Sequence, residues 1–368
     1  MRQRLFVPLL LAALAACPAV SIARGGDAKP DPKQPETPRE SPGGAYNGLP
    51  EVAKKMIRSA DERPVTVAAA GAGVTPVAGI ETRGSGPVHL VLIPGLACDW
   101  TVWEAFMRRG EGRYTMHAVT LPGVGGSTVP PMPDPEQVKW SDDVWMANAD
   151  RAVVEAIAGL KLATPPVVVG HSLGGHLALR LATRHPQAVR GAVMLDAYAA
   201  VPLAGGSVLP IEARRTIVDN QMPSWFDTAM VGNDSAGLKR MFSTGTMDEG
   251  RGQVLAEMAV KTPAAVNKRY LLELCASDLT GELKTLERPV LVLAAIPPLP
   301  PAPQVPAGME PPVPQDGREA TRGLWRTQFG GAEKVTLEFV EPSRHFIMDD
   351  QPAKMDELIA AFVERLPK

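Results

Sequence analysis

Cysteine is scarce in this chain: 368 residues carry only 3. Three thiols cannot form a disulfide scaffold, and no cysteine–histidine pair has zinc-site spacing, so the sequence implies no metal and no other cofactor. Charge of one sign is not in excess either. Lys and Arg number 38 against 40 Asp and Glu, a net charge of -2. No basic surplus exists to hold phosphates, and nucleic acid is not an expected partner. Long hydrophobic runs are missing too. The run at residues 5–16 is broken only by Pro8; as a helix it spans about 18 Å, short of a bilayer core of about 30 Å. What is present is 45% hydrophobic residues at a mean hydropathy of -0.03. That excludes a fully disordered chain and a multi-span membrane protein, and it supplies a large core.

Residues 1–23 read as an export signal, with Arg2 and Arg4 ahead of the apolar run and small residues after it. Two cleavage readings compete. Ser21-Ile22-Ala23 suits ordinary signal peptidase, whereas Leu14-Ala15-Ala16-Cys17 resembles a bacterial lipobox in which Cys17 becomes a lipidated first residue and a membrane tether. Both place the protein in a bacterial cell envelope or periplasm, anchored in one case and soluble or secreted in the other. Residues 24–50, with six prolines among charged residues, read as an extended linker. Cys98 and Cys275 remain after export, and two small buried thiols suit them better than a disulfide.

The rest alternates apolar runs with helical patterns. Residues 88–93, 114–119, 167–169, 192–195, 290–293 and 335–340 read as strands, most of them apolar enough to be covered on both faces. Residues 66–70 and 77–82 read as opening antiparallel strands. Helical patterns cover 143–160, the Leu173–Leu177–Leu181 stripe and a last helix opening at Pro352. The fold class is therefore α/β with a mostly parallel central sheet flanked by helices. Core segments are 51–197 and 286–368. Residues 198–285 hold helical pieces and no clear strand, and read as a helical cap over the carboxyl edge of the sheet. Residues 297–314 are too rich in proline for a central element and read as a long loop.

The chemistry centres on Gly170-His171-Ser172-Leu173-Gly174. A bare G-x-S-x-G is a weak motif, but this one follows a strand and opens a helix. A serine on that turn has a strained backbone, and its hydroxyl is lifted clear of the sheet. It needs a base. Of the 6 histidines, His89 and His117 lie within strands and His185 sits before Pro186 at a helix end. His176 lies inside the helix, and the turn is expected to aim His171 away from the serine. His345 follows the last strand, at the sheet edge where Ser172 belongs, and is the expected base. The tetrahedral intermediate needs two N–H donors, expected from Leu173 and from Leu96 in the Pro94-Gly95-Leu96-Ala97 loop. Trp100 and Trp103 either wall the pocket or are buried aromatics at a helix start.

Over about residues 65–366 the chain resembles the α/β-hydrolase superfamily. Pro94-Gly95 stands where many relatives have His-Gly. Leu121-Pro122-Gly123-Val124-Gly125-Gly126-Ser127 resembles the family's D-x-P-G-x-G-x-S turn, with Thr120 in place of the usual Asp. Gly170-His171-Ser172-Leu173-Gly174-Gly175 resembles the nucleophile elbow, and His345 the C-terminal histidine. The resemblance implies a cap between the sixth and seventh strands of the family's count, which are here the strands ending at Asp196 and beginning after Pro289. It implies a serine hydrolase that cleaves a carboxylic ester, or a similar small acyl substrate, through an acyl-enzyme. Thioesterase, lactonase, amidase and perhydrolase chemistry stay open within the class, and a catalytically impaired binding protein is the alternative outside it. The oligomeric state is not legible.

The triad acid departs from the family pattern, because the seventh strand has no carboxylate beside its end. Asp196, at the end of the sixth strand, is the expected acid. It competes with the ordinary role of a strand-end Asp in capping a turn. Asp316 is the alternative acid, and Glu310 a further one. The N-terminus separates the two export readings. Under the lipobox reading the native protein fractionates with membranes and Cys17→Ser releases it. Under the other, sequencing finds an unlipidated start at Arg24.

Overall fold

The computed structural model describes residues 73–203, 208–299 and 316–367. The export signal with Cys17, the linker, the first expected strand at 66–70, Glu310 and most of the proline-rich stretch lie outside the described residues.

Seven strands form one sheet in the order β1-β3-β2-β4-β5-β6-β7. They are β1 (Ile80–Arg83), β2 (Val88–Ile93), β3 (Tyr114–Val119), β4 (Val167–His171), β5 (Gly191–Leu195), β6 (Val290–Ala295) and β7 (Val335–Val340). Only β1 runs antiparallel, paired with β3. The architecture is α/β with a mostly parallel sheet, as the alternation of runs implies. β4, β5 and β6 are buried along their whole length, which is why they read as unbroken apolar runs. β7 lies at the sheet's edge, and there the sequence alternates instead.

Helices α1 (Glu104–Gly110), α2 (Val144–Gly159), α3 (Leu173–Arg184), α8 (Arg318–Phe329) and α9 (Pro352–Arg365) flank the sheet. Between β5 and β6 the chain forms α4 (Ile211–Asn220), α5 (Ala236–Ser243), α6 (Glu249–Lys261) and α7 (Ala264–Ala276), with short helical turns between α4 and α5. Leu173, Leu177 and Leu181 are fully buried, so the expected stripe faces the core. Among the described residues no helix is long and apolar enough to cross a membrane.

Helix α3 is fixed to its neighbours by ion pairs. Arg180 of α3 donates to both oxygens of Asp143 at 2.8 and 2.9 Å, and to Asp150 at 2.7 Å. Asp143 stands at the N-cap of α2 but makes no cap bond there. The orphan amides of Trp145 and Met146 are taken instead by Glu273 of α7, at 3.0 and 2.8 Å. Arg269 is the ion partner of Glu273, whose carboxyl is nonetheless pushed up by burial. Each of these buried charges has an opposite one, the condition under which such groups are tolerated.

Candidate active site

Parallel strands end at one edge, so the loops after β2, β4, β5 and β7 meet there. Ser172 follows β4 directly. Its backbone has φ 53° and ψ -117°, a conformation that L-residues rarely adopt, and its N–H donates to the Leu195 carbonyl at 2.9 Å. Close packing imposes this turn. A Cβ on Gly170 would lie 2.0 Å from the Gly174 carbonyl oxygen, and one on Gly174 would lie 2.2 Å from that of Ile93. Among the described residues the Ser172 hydroxyl makes no hydrogen bond, which leaves it free to turn toward a base, as in many unliganded sites.

The loop after β2 forms the facing wall. A turn closed by Cys98 N–H on Gly95 O at 3.2 Å puts Ala97 at φ 58°. A Cβ on Gly95 would sit 3.3 Å from that of Ser172, so the loop lies against the serine. The expected donors at Leu96 and Leu173 flank the serine on these two loops. Neither N–H donates to backbone among the described residues.

Asp196 follows β5 and also has a positive φ, 45°. Its N–H donates to Leu293 O at 2.8 Å, which fixes the loop in the register of β6. One carboxylate oxygen accepts the Ala295 N–H at 3.1 Å, and the other lies 2.6 Å from Nδ1 of His345. The sequence thus separates two residues that the fold brings together over 149 positions. Asp316 goes elsewhere. It stands on the surface just before α8, where hydrogen bonds from the Arg318 side chain and backbone hold its carboxyl down at about 2.

The pocket is a partly open cleft lined by Gly95, Leu96, Cys98, His171, Ser172, Met241, Phe242, His345 and Phe346. His171 also lines the pocket, where its buried ring packs against those of His345 and Phe346, each with centroids 4.6 Å away. Its Nε2–H donates to the His345 carbonyl at 2.9 Å. Burial, and then the neighbouring His345, hold it neutral well below the usual histidine range. Trp100 and Trp103 do not line the pocket, and Trp103 is wholly buried, the second of their two readings. Met241 and Phe242 escaped sequence reading because a helical cap carries no motif that says which turn faces the site. Phe346 could have been suspected from its position beside His345.

The other histidines have structural partners. His176 donates from Nδ1 to Tyr198 O at 3.0 Å and meets the Ser277 hydroxyl at 2.8 Å; burial lowers it to about 3. His89 and His117 are hydrogen-bonded to each other at 3.0 Å. His185 closes α3, its N–H donating to Leu181 O. Thr120, where relatives have Asp, accepts the Trp100 N–H at 3.1 Å. Cys98 and Cys275 are both buried and are not joined in a disulfide. Among the described residues no group of three or more His, Cys, Asp or Glu could hold a metal ion.

Comparison with known proteins gives the setting. A sequence model described as "Alpha/beta hydrolase family" matches residues 90–358. The pimeloyl-[acyl-carrier protein] methyl ester esterase of Stenotrophomonas maltophilia (strain R551-3) is 32% identical over 225 residues, 58% of this chain and 76% of that protein. The enol-lactonase from Burkholderia xenovorans LB400 superposes at TM-score 0.55 with 14% identity, covering 78% of this chain and 96% of the other. A thermophilic esterase from Thermogutta terrifontis, malate bound, gives 0.55 with 18% identity over 78% of this chain and 93% of the other. At these identities the structural likeness is one of fold.

The elbow packing makes a stability prediction. Gly174→Ala should lower the melting temperature sharply, because its Cβ would enter the Ile93 carbonyl. Gly323→Ala, in the interior of α8 with nothing within 4 Å of the new atom, should stabilise by about 0.5–1 kcal/mol. Paired thermal melts check both.

Proposed function

We propose, from the premise that the chain belongs to the alpha/beta hydrolase family, that it is a metal-free serine hydrolase cleaving a carboxylic ester of a small, uncharged acyl group. The observation that carries this reading is the 2.6 Å contact of His345 Nδ1 with Asp196, in a pocket shared with Ser172 on its strained turn. Asp196 holds the imidazole so that Nδ1 bears the proton and Nε2 presents its lone pair to the serine. Ser172 Oγ attacks the acyl carbon as its proton passes to His345. The carbonyl oxygen takes up the negative charge against the N–H groups of Leu96 and Leu173, each worth roughly 10²–10³ in turnover by analogy with such donors elsewhere. Collapse of the intermediate expels the alcohol, which takes the proton from His345, and leaves the acyl group on Ser172. Water, deprotonated by the same histidine, then releases the acid and restores the serine.

The pocket supports the substrate class. Apart from the two histidines, its lining carries no ionisable carboxylate or amine. Leu96, Cys98, Met241, Phe242 and Phe346 present carbon and sulfur. Burial raises the Cys98 thiol, which keeps it neutral there. The esterase relative supports ester hydrolysis, while its particular substrate is said of that protein. The N-terminal signal supports an exported enzyme acting in a bacterial cell envelope, with the lipid on Cys17 as its tether under the lipobox reading.

Ser172→Ala should abolish labelling by a fluorophosphonate probe and ester turnover, with the melt nearly unchanged. Asp196→Asn should cost about 10⁴-fold in kcat, whereas Asp316→Asn should leave it close to wild type. Collapse in the Asp316 variant alone would move the acid; full activity without Ser172 would sink the hydrolase reading.

A further inference from the structure

The residues on either side of His345 are tied to the segment that continues the pocket wall. Met241 and Phe242, in the last turn of α5, line the pocket. Directly after them the chain runs along the His345 loop. The Phe346 N–H donates to Gly245 O at 3.0 Å. The Phe346 ring lies so close that a Cβ on Gly245 would come within 2.9 Å of its Cε2. The Arg344 guanidinium donates to Thr246 O at 2.9 Å.

One carboxylate bonds to both segments. Asp350 Oδ1 accepts the Thr246 hydroxyl at 2.6 Å and the Met247 N–H at 2.7 Å. Its Oδ2 accepts the Arg344 N–H at 2.7 Å. Thr246 is 1% exposed, so the joint lies inside the protein. We propose that Asp350 is a positioning residue that fastens the pocket wall after Phe242 to the loop carrying His345, so that acyl selectivity and base placement depend on one side chain. The part concerning catalysis rests on the hydrolase reading above.

The chemistry requires a carboxylate. All three partners are donors, and only an ionised carboxyl accepts at both oxygens. Charge-assisted bonds of this kind are roughly twice as strong as neutral ones. In Asp350→Asn one end of the side chain becomes an NH₂. Whichever way the amide turns, a donor meets a donor, and either the wall or the His345 loop is released. A displacement of about 1 Å at a reacting group can lower turnover about 10²-fold.

A carboxylate that only stabilised the fold would lower the melt and slow all substrates alike. Asp350→Asn is therefore compared with Val189→Ala, a buried position outside the pocket, well below both melting temperatures. The substrates are p-nitrophenyl esters from acetate to dodecanoate. Asp350→Asn should lower kcat by roughly 10- to 100-fold and change the order of preference among chain lengths, whereas Val189→Ala should keep the wild-type order. Hydrogen exchange gives a readout independent of activity. Amides of 244–247 and 344–346 should lose protection together in Asp350→Asn and not in Val189→Ala. If Asp350→Asn does not fold, Thr246→Val, which removes one wall-side donor, should produce the same change of order and of exchange to a smaller degree. Unchanged chain-length order and unchanged exchange in the folded variant overturn the proposal. Joint loss of protection in a protein whose wild type fails to hydrolyse any ester would uphold the joint and sink the hydrolase reading.

Discussion

Ser172 can stand where it does only because bare backbone meets bare backbone on both sides of it. The start of α3 presses into the ends of β2 and β4, and Gly170, Gly174 and Gly175 leave room for no side chain there. That contact forces the chain through a turn too tight for ordinary backbone angles, and the strained residue is the one whose hydroxyl must be exposed. The strain is sustained by what surrounds it: the Leu195 carbonyl holding the Ser172 amide, and the fully buried Leu173, Leu177 and Leu181 holding the helix against the sheet.

Once the elbow is placed, the sheet's register places the rest. β4, β5 and β6 are adjacent and parallel, with His171 opposite Leu195 and Leu195 opposite Leu293. The residues that follow these strands emerge side by side. Asp196 leaves its strand in the left-handed region, which Asp tolerates better than most residues. That turn, with Ala295 N–H on its other oxygen, directs the carboxylate toward the next loop instead of along the strand. His345 is held from several directions: by Asp196 at its ring, by His171 at its carbonyl, and through its neighbours by the segment after α5. Two of these ties come from backbone groups, which a substitution of side chains at 345 ± 1 cannot remove.

The cap is anchored by the same economy of buried charge that anchors the core. Glu273 on α7 closes the N-terminus of α2, whose Asp143 in turn grips Arg180 on α3. The chain of contacts from cap to elbow is made of paired ions and capped amides. Removing Glu273 would leave the buried Arg269 without its ion partner, and an unpaired buried charge costs several kcal/mol.

The amino-acid sequence by itself determined the strands, the elbow and the identity of the serine and of the histidine after the last strand. These are local matters: an apolar run buried on both faces, glycines around a serine, a histidine just past a strand. It also put Asp196 ahead of Asp316, because a residue at a strand's end is held rigidly and one beside a proline-rich stretch is not. Only the tertiary structure decided what depends on distant segments meeting. His171 turned out to support His345 because its ring is covered by Phe346, and nothing within the elbow's own sequence implies that cover. Trp103 went to the core, while Met241 and Phe242 became the wall. Helix amphipathicity tells which face is apolar, but a capping helix has apolar contacts on the core and in the pocket alike, and only the packing of one segment on another separates them.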